Sequence, residues 1–422
     1  MNDIFAIRDF SFPKDFLLGS ATAGHQIEGN NINTGLWDYE IEQHNKNPEY
    51  ELSGLACNSY EMYEEDIELI EKLGHNIFRM SMEWARIEPE KDNFIISELE
   101  HYIKIFEMLK QRGVKIVLSV VHGTVPKWFN YDIKQMPDFE KYLNYVVPKI
   151  SQYIDYWCIF NEFNFSVENF DFKTRSIRFH ARAYHVIKQY SNKPISTAHA
   201  LRQHYAKRQT DKFDVALANY YDVCFNEFWF HAIRTGEIVF PGTDCFYDKE
   251  IKGTCDYWAI NTYLRTMVDS RVSNSEYGER YSFNKIYTIH DAKYDMTNEF
   301  NPECVIQNLL RLNDKPVLIT ENGMCTEQDE FRVAWILEYL SAVREAMDMG
   351  IDVIGYLYWS LLDNYEWGSY VPKFGLVSVD RENEFKRTIK PSAFFYKDII
   401  DNKGYKREML EKYLKHAPKA NF

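Results

Sequence analysis

Nowhere in this chain of 422 residues do two cysteines stand in C-x-x-C spacing. Its seven cysteines, at 57, 158, 224, 245, 255, 304 and 325, are odd in number and scattered, which argues against a disulfide framework and against a zinc site. Cys158 and Cys224 sit among apolar and aromatic neighbours, where buried free thiols are the common outcome. No run of about 18 apolar residues is present to span a membrane. The N-terminal Met1-Asn2-Asp3-Ile4-Phe5-Ala6-Ile7-Arg8 lacks the basic and apolar regions of a secretory signal, so a reducing cytoplasm is the expected compartment. Positive charge is also short: 49 Lys and Arg face 63 Asp and Glu, a formal net charge of −14. That balance argues against a nucleic-acid partner, since a phosphate backbone needs clustered cations, and no nucleic-acid or membrane partner is expected. Linkers rich in Pro, Gly or Ser, low-complexity tracts and internal repeats are missing too, so residues 1–422 are expected to form one domain.

What the chain does have is a hydrophobic share of 45% and a recurring unit of helix, glycine and strand. Tyr60, Tyr63, Ile67, Ile70 and Leu73 recur at helical spacing before Gly74, and Ile77 to Met80 then reads as a strand. Leu99, Ile103, Phe106 and Leu109 form a second stripe that ends at Gly113, followed by the apolar run Val114 to Val121. Phe331, Ala334, Leu337, Leu340, Val343 and Met347 form a third, stopped by Gly350 before Val353 to Trp359. Such alternation implies parallel strands joined by helical crossovers, in an open sheet or a closed barrel. The strand candidate Phe16 to Ser20 carries no glycine-rich phosphate loop, which disfavours a nucleotide-binding open sheet. Polar residues follow many strands instead: Gln26 and Glu28, Arg79, His122, Asn161 and Glu162, Asn261 and Tyr263, Glu321, and Glu366. A single-domain (β/α)8 TIM barrel would gather all of them at one mouth.

Two of these residues carry the chemistry. Lys315-Pro316-Val317-Leu318-Ile319-Thr320-Glu321-Asn322-Gly323 is an apolar strand ending on a carboxylate and a turn signal, and Tyr156 to Phe160 likewise runs into Asn161-Glu162. Either glutamate alone reads more readily as a helix N-cap neighbour or a salt-bridge partner. Two of them presented at the ends of two strands are what acid/base and nucleophilic attack on a glycosidic bond require.

Several longer stretches then add a resemblance. Phe12 to Gly19, Ala21-Thr22-Ala23, Gln26-Ile27-Glu28-Gly29, Asn161-Glu162, Ile319 to Gly323, Trp359 to Trp367 and Lys390-Pro391-Ser392-Ala393 together resemble glycoside hydrolase family 1, the β-glucosidase and β-galactosidase family, over essentially the full chain. The resemblance implies a barrel that retains anomeric configuration, with Glu321 as nucleophile and Glu162 as acid/base. Part of the raised pKa of Glu162 is expected to come from repulsion by ionised Glu321. Arg79 and Tyr263 would hold the nucleophile, and Asn161 would contact the sugar 2-hydroxyl. Gln26, His122, Glu366 and Trp367 would bind the glycone over Trp359. No cofactor and no metal are implied, the partner being a small glycoside. Glu366 stands where phospho-glucosidase members place a serine, so an unphosphorylated sugar is expected, Lys373 being the one nearby cation against it. Transglycosylation by the same carboxylates, or sugar binding without turnover, remain alternatives.

The pattern departs from the family at Gly123, usually aromatic, at Phe163, usually proline, and over 164–179, which is short. These changes predict an altered, more open aglycone side. His180 and His185, five residues apart, miss the spacing of a helical metal site and read as structural.

Overall fold

A computed structural model describes residues 4–165, 169–271 and 300–418. Eight strands close into a barrel: β1 (Leu17–Ala21), β2 (Ile77–Ser81), β3 (Lys115–Val121), β4 (Tyr156–Asn161), β5 (Ile195–Ala200), β6 (Trp258–Asn261), β7 (Val317–Asn322) and β8 (Val353–Trp359). Each pairs in parallel with its neighbours in chain order, and β8 returns to β1 through Gly355–Leu17 to Trp359–Ala21.

Helices cover the outside. The three predicted stripes form the helices Ser59–Lys72, Ile96–Gln111 and Asp329–Asp348. Gly74, Gly113 and Gly350 follow them at φ of +71°, +72° and +96°, the left-handed turn that releases the chain toward the next strand. Helix Phe170–Ile187 holds both doubtful histidines. His180 bridges Thr197 Oγ1 and the Thr254 carbonyl, and His185 bonds the Glu250 carbonyl, in keeping with structural roles.

The barrel is filled rather than hollow. Leu17, Ile77, Val117, Cys158, Ala198, Ala259, Leu318 and Leu357, one from each strand, form a single interior cluster. A second, larger core lies between strands and helices. All seven cysteines are free, and only Cys245 is exposed.

Bulges at the strand ends then re-aim the polar residues. On β4, Cys158 points inward, but Ile159 and Phe160 both join the outer core, so the next residue, Asn161, is turned back to the interior. The register against β5 slips between Cys158 and Asn161 to allow it. On β7 the register slips between Ile319 and Asn322, and Glu321 turns inward although Ile319, two residues earlier, faces the helices.

Candidate active site

Glu321 is held from three directions. Arg79, two residues after the inward Ile77 on β2 and itself fully buried, donates Nη1 to Glu321 Oε1 at 2.6 Å. Tyr263 OH donates to Oε2 at 2.7 Å. The following residue, Asn322, takes Trp335 Nε1 at 2.8 Å and Tyr356 OH at 2.7 Å on its Oδ1, which anchors the strand end from behind. Gly323 completes the turn because a Cβ there would lie 1.8 Å from the Trp359 carbonyl oxygen.

Glu162 sits just past β4 at φ +50°, a left-handed backbone that is uncommon for a side-chain-bearing residue and costs about 1 kcal/mol or more. The strain is held by the surroundings. Asn164 donates to the Ala200 and Phe225 carbonyls and accepts from Ala200 N–H, pinning the chain beyond the kink. Phe163 is buried edge-on against Phe228 and Trp229, so this departure from the family packs behind the mouth and not into it.

The two carboxyls belong to one hydrogen-bonded network. Arg79 Nη2 donates to Asn161 Oδ1 at 2.7 Å, and Asn261 Nδ2 lies 2.9 Å from both Asn161 Oδ1 and Glu162 Oε1. Thr320 Oγ1 orients Asn261 through its Oδ1 at 2.7 Å. Asn261 stands at a strand end in the sequence, yet nothing there distinguished it from its neighbour Tyr263; its role depends on the register slip between Ile260 and Asn261.

A cavity of about 470 Å³ opens at this end of the barrel, lined by Gln26, His122, Asn161, Glu162, Tyr263, Glu321, Trp359, Glu366 and Trp367. Nine of the ten residues predicted from sequence therefore meet at one surface, and Arg79 lies directly beneath. Gln26 Nε2 reaches Glu366 Oε2 at 3.2 Å, and Trp359 Nε1 donates to Glu366 Oε1 at 3.1 Å. Gln26 Oε1 and His122 Nδ1 are buried with no partner among the described residues. Buried polar atoms are normally satisfied, so these two suit a ligand rich in hydroxyls. The lining also includes Gly123, Phe165, Arg202, Asn261 and Phe374, none of which was foreseen as a binding residue.

Burial raises the pKa of all three carboxyls. Glu366 is pushed up to about 8, with Trp359 and Gln26 opposing. Glu321 rises to about 7 through burial, against Arg79, with repulsion from Glu162 adding to the rise and Tyr263 opposing it. Glu162 is raised by burial too, opposed by Asn261, Arg202 and Arg79. Burial is thus the main cause at Glu162, and the repulsion expected from sequence is felt at Glu321. His122 is held neutral by burial and by the charge of Arg79.

The sequence matches glycosyl hydrolase family 1 over residues 8–405. The chain belongs to that family. It is an O-glycosyl hydrolase, as its relatives are. It is 27% identical to a β-galactosidase of Sulfolobus acidocaldarius, across 94% of this chain and 97% of that protein. It is 26% identical to β-glucosidase A of Acetivibrio thermocellus, across 94% and 99%. Its fold is similar to that of a β-glycosidase from Pyrococcus horikoshii, with a TM-score of 0.84, 30% identity and coverage of 96% and 98%. Among the described residues no helix is long and apolar enough to cross a membrane.

Proposed function

We propose that this hydrolase is a retaining, cytoplasmic β-glycosidase of a single domain, acting on unphosphorylated β-glucosides or related β-glycosides through a covalent glycosyl-enzyme. The observation that carries the reading is the unequal support of two carboxyls facing one cavity. Glu321 has a guanidinium at 2.6 Å and a phenol at 2.7 Å, whereas Glu162 accepts an amide N–H from Asn261. When the pair holds one proton, the charge therefore rests on Glu321 and the proton on Glu162. Repulsion from Glu162 is then absent, and Glu321 ionises below about 7.

Glu321 attacks the anomeric carbon while Glu162 protonates the departing oxygen. Esterification of Glu321 removes its charge; Glu162, now deprotonated, takes a proton from water as that water attacks the same carbon. Asn161 Oδ1 accepts from both Arg79 and Asn261, which leaves its amide N–H free to follow the 2-hydroxyl into the transition state. Trp359 offers its ring face to the sugar, and Gln26, His122 and Glu366 take the hydroxyls.

An unphosphorylated sugar is supported by charge placement. Arg202 is the one guanidinium or ammonium among the described lining residues, and it follows β5, across the ring from β1 and Gln26. Lys373 does not line the cavity; its Nζ donates to the Tyr370 carbonyl at 2.7 Å.

The test is hydrolysis of aryl β-glycosides by wild type, Glu162→Gln, Glu321→Gln and a Glu321→Gly variant supplied with azide. Rescue of Glu321→Gly that yields the inverted glycosyl azide is the expected result. Equal activity in all four proteins would end the assignment.

A further inference from the structure

Arg202 is a charge without an assigned task. Its backbone is fixed, with N–H donating to Asn226 Oδ1 at 3.4 Å and carbonyl accepting from Asn226 Nδ2 at 2.7 Å. Its guanidinium lies over the rings of Phe165, at 4.8 Å, and Phe225, at 5.4 Å. Among the described residues that guanidinium donates no hydrogen bond and joins no ion pair. The other guanidinium at the reacting centre among the described residues, Arg79, is taken up by Glu321 and Asn161.

The position of Arg202 is also informative. The glycone residues Gln26, His122, Trp359 and Glu366 come from the ends of β1, β3 and β8. Arg202 comes from β5, opposite β1 in the ring, and its charge acts on Glu162, the residue that protonates the leaving oxygen. Phe165, half exposed, stands beside it and offers a flat apolar face. A cation with open donors next to an aromatic wall, on the leaving-group side, matches an aromatic ring that bears an oxyanion.

Building on the glycosidase reading, we propose that Arg202 and Phe165 form an aglycone subsite that selects leaving groups carrying a carboxylate on an aromatic ring. The anion satisfies the guanidinium, and the ring packs on Phe165. The same contact assists the chemistry, since Arg202 opposes protonation of Glu162 and a bound carboxylate cancels that influence. An anion on the glycone side, by contrast, would meet no guanidinium or ammonium among the described lining residues there.

The experiment uses the full chain and matched aryl β-glycosides on the glycone that wild type turns over best. The phenyl ring bears a 4-carboxy, 4-sulfo, 4-phosphono or neutral 4-carbamoyl group, and kcat/KM is corrected for leaving-group acidity with a series of neutral aryl glycosides. Wild type is expected to favour carboxy over carbamoyl by about tenfold at low salt, the usual gain from one hydrogen bond to a charged group. In Arg202→Met that ratio falls to about one, and in Arg202→Lys part of it survives, because an ammonium keeps the charge but loses the planar fork. The alkaline limb of the kcat profile, which reports the substrate complex, lies higher for the carboxy substrate than for the carbamoyl one in wild type, and the two limbs coincide in Arg202→Met. A merely structural arginine would lower both substrates alike and move neither the ratio nor the limb. Such an outcome, or a wild type indifferent to the carboxylate, overturns the subsite while the glycosidase reading stands. Stronger selection for sulfo or phosphono overturns the carboxylate assignment. Failure to turn over any glycoside overturns both readings.

Discussion

Replacing Tyr263 with phenylalanine removes one hydroxyl and little else. The lost bond is the 2.7 Å donation to Glu321 Oε2, one of the two side-chain donors that favour the charged form of that carboxyl. A hydrogen bond to an ionised group contributes roughly 1.5 to 3 kcal/mol net, and about half of this distinguishes the carboxylate from the neutral acid. About 1.4 kcal/mol of lost discrimination is one pKa unit. Its sign is fixed: the donor lowers the pKa, so its removal raises it, and the nucleophile needs more alkaline conditions to ionise. The acid limb of kcat/KM for an aryl β-glycoside should therefore move upward by about one unit in Tyr263→Phe. Below the limb the variant falls a further tenfold or so behind wild type, and above it the gap is constant. The assay is a pair of pH profiles, with melting temperatures measured alongside to show that both proteins stay folded. Parallel profiles that differ by one factor at every pH would refute the claim that Tyr263 acts on the charge of Glu321.

Three other expectations follow from the same geometry. Asn261→Ala removes the donor that opposes the raised pKa of Glu162, so the alkaline limb should move to higher pH; a profile with an unmoved alkaline limb counts against the network. Because Glu366 titrates near 8, its neutral form dominates below that pH, and Glu366→Gln should match wild type more closely at pH 6 than at pH 9, read as KM; the reverse order would show that the anion is needed throughout. Gly123 has φ +77°, and a Cβ there would lie 3.2 Å from Trp367 Cη2. Gly123→Ala should then cost about 1 to 2 kcal/mol in stability, measured by denaturant unfolding, and raise KM more than it lowers kcat by displacing the indole; unchanged stability and KM would refute it.

Much of this site could be read from the chain because strand ends are local features. Gly74, Gly113 and Gly350 stop helices, apolar runs follow, and Asn161-Glu162 and Glu321 stand where those runs stop. Strict alternation, however, would have sent Asn161 and Glu321 toward the helices, since Ile159 and Ile319 both face outward. The register slips in β4 and β7 turn them in, and slips of that kind leave no periodic trace. The same limit hid Asn261, whose partners lie 59 to 100 positions away. β5 has no apolar run or alternation to announce it, because Ile195-Ser196-Thr197-Ala198-His199-Ala200 is buried at every position, polar side chains included. Arg202 follows it with no motif around it. Phe163 adjoins Glu162 in the chain, which predicts a disturbed pocket, but the kink at that glutamate sends the ring to the outer core. The loop at 164–179 keeps its helix from Phe170 onward; residues 166–168 lie outside the described residues.

Gln26 and Glu366 touch across 340 positions of chain. A ribosome therefore releases no complete sugar-gripping surface until it has made nearly everything: Gln26 is translated early and waits for the segment that runs from Trp359 to Trp367. A nascent fragment that ends between Asn322 and Trp359 has both glutamates, Gln26 and His122, but lacks Trp359 and Glu366, so the ring would be gripped from one side only; removing the chain from residue 359 onward would do the same without touching either glutamate.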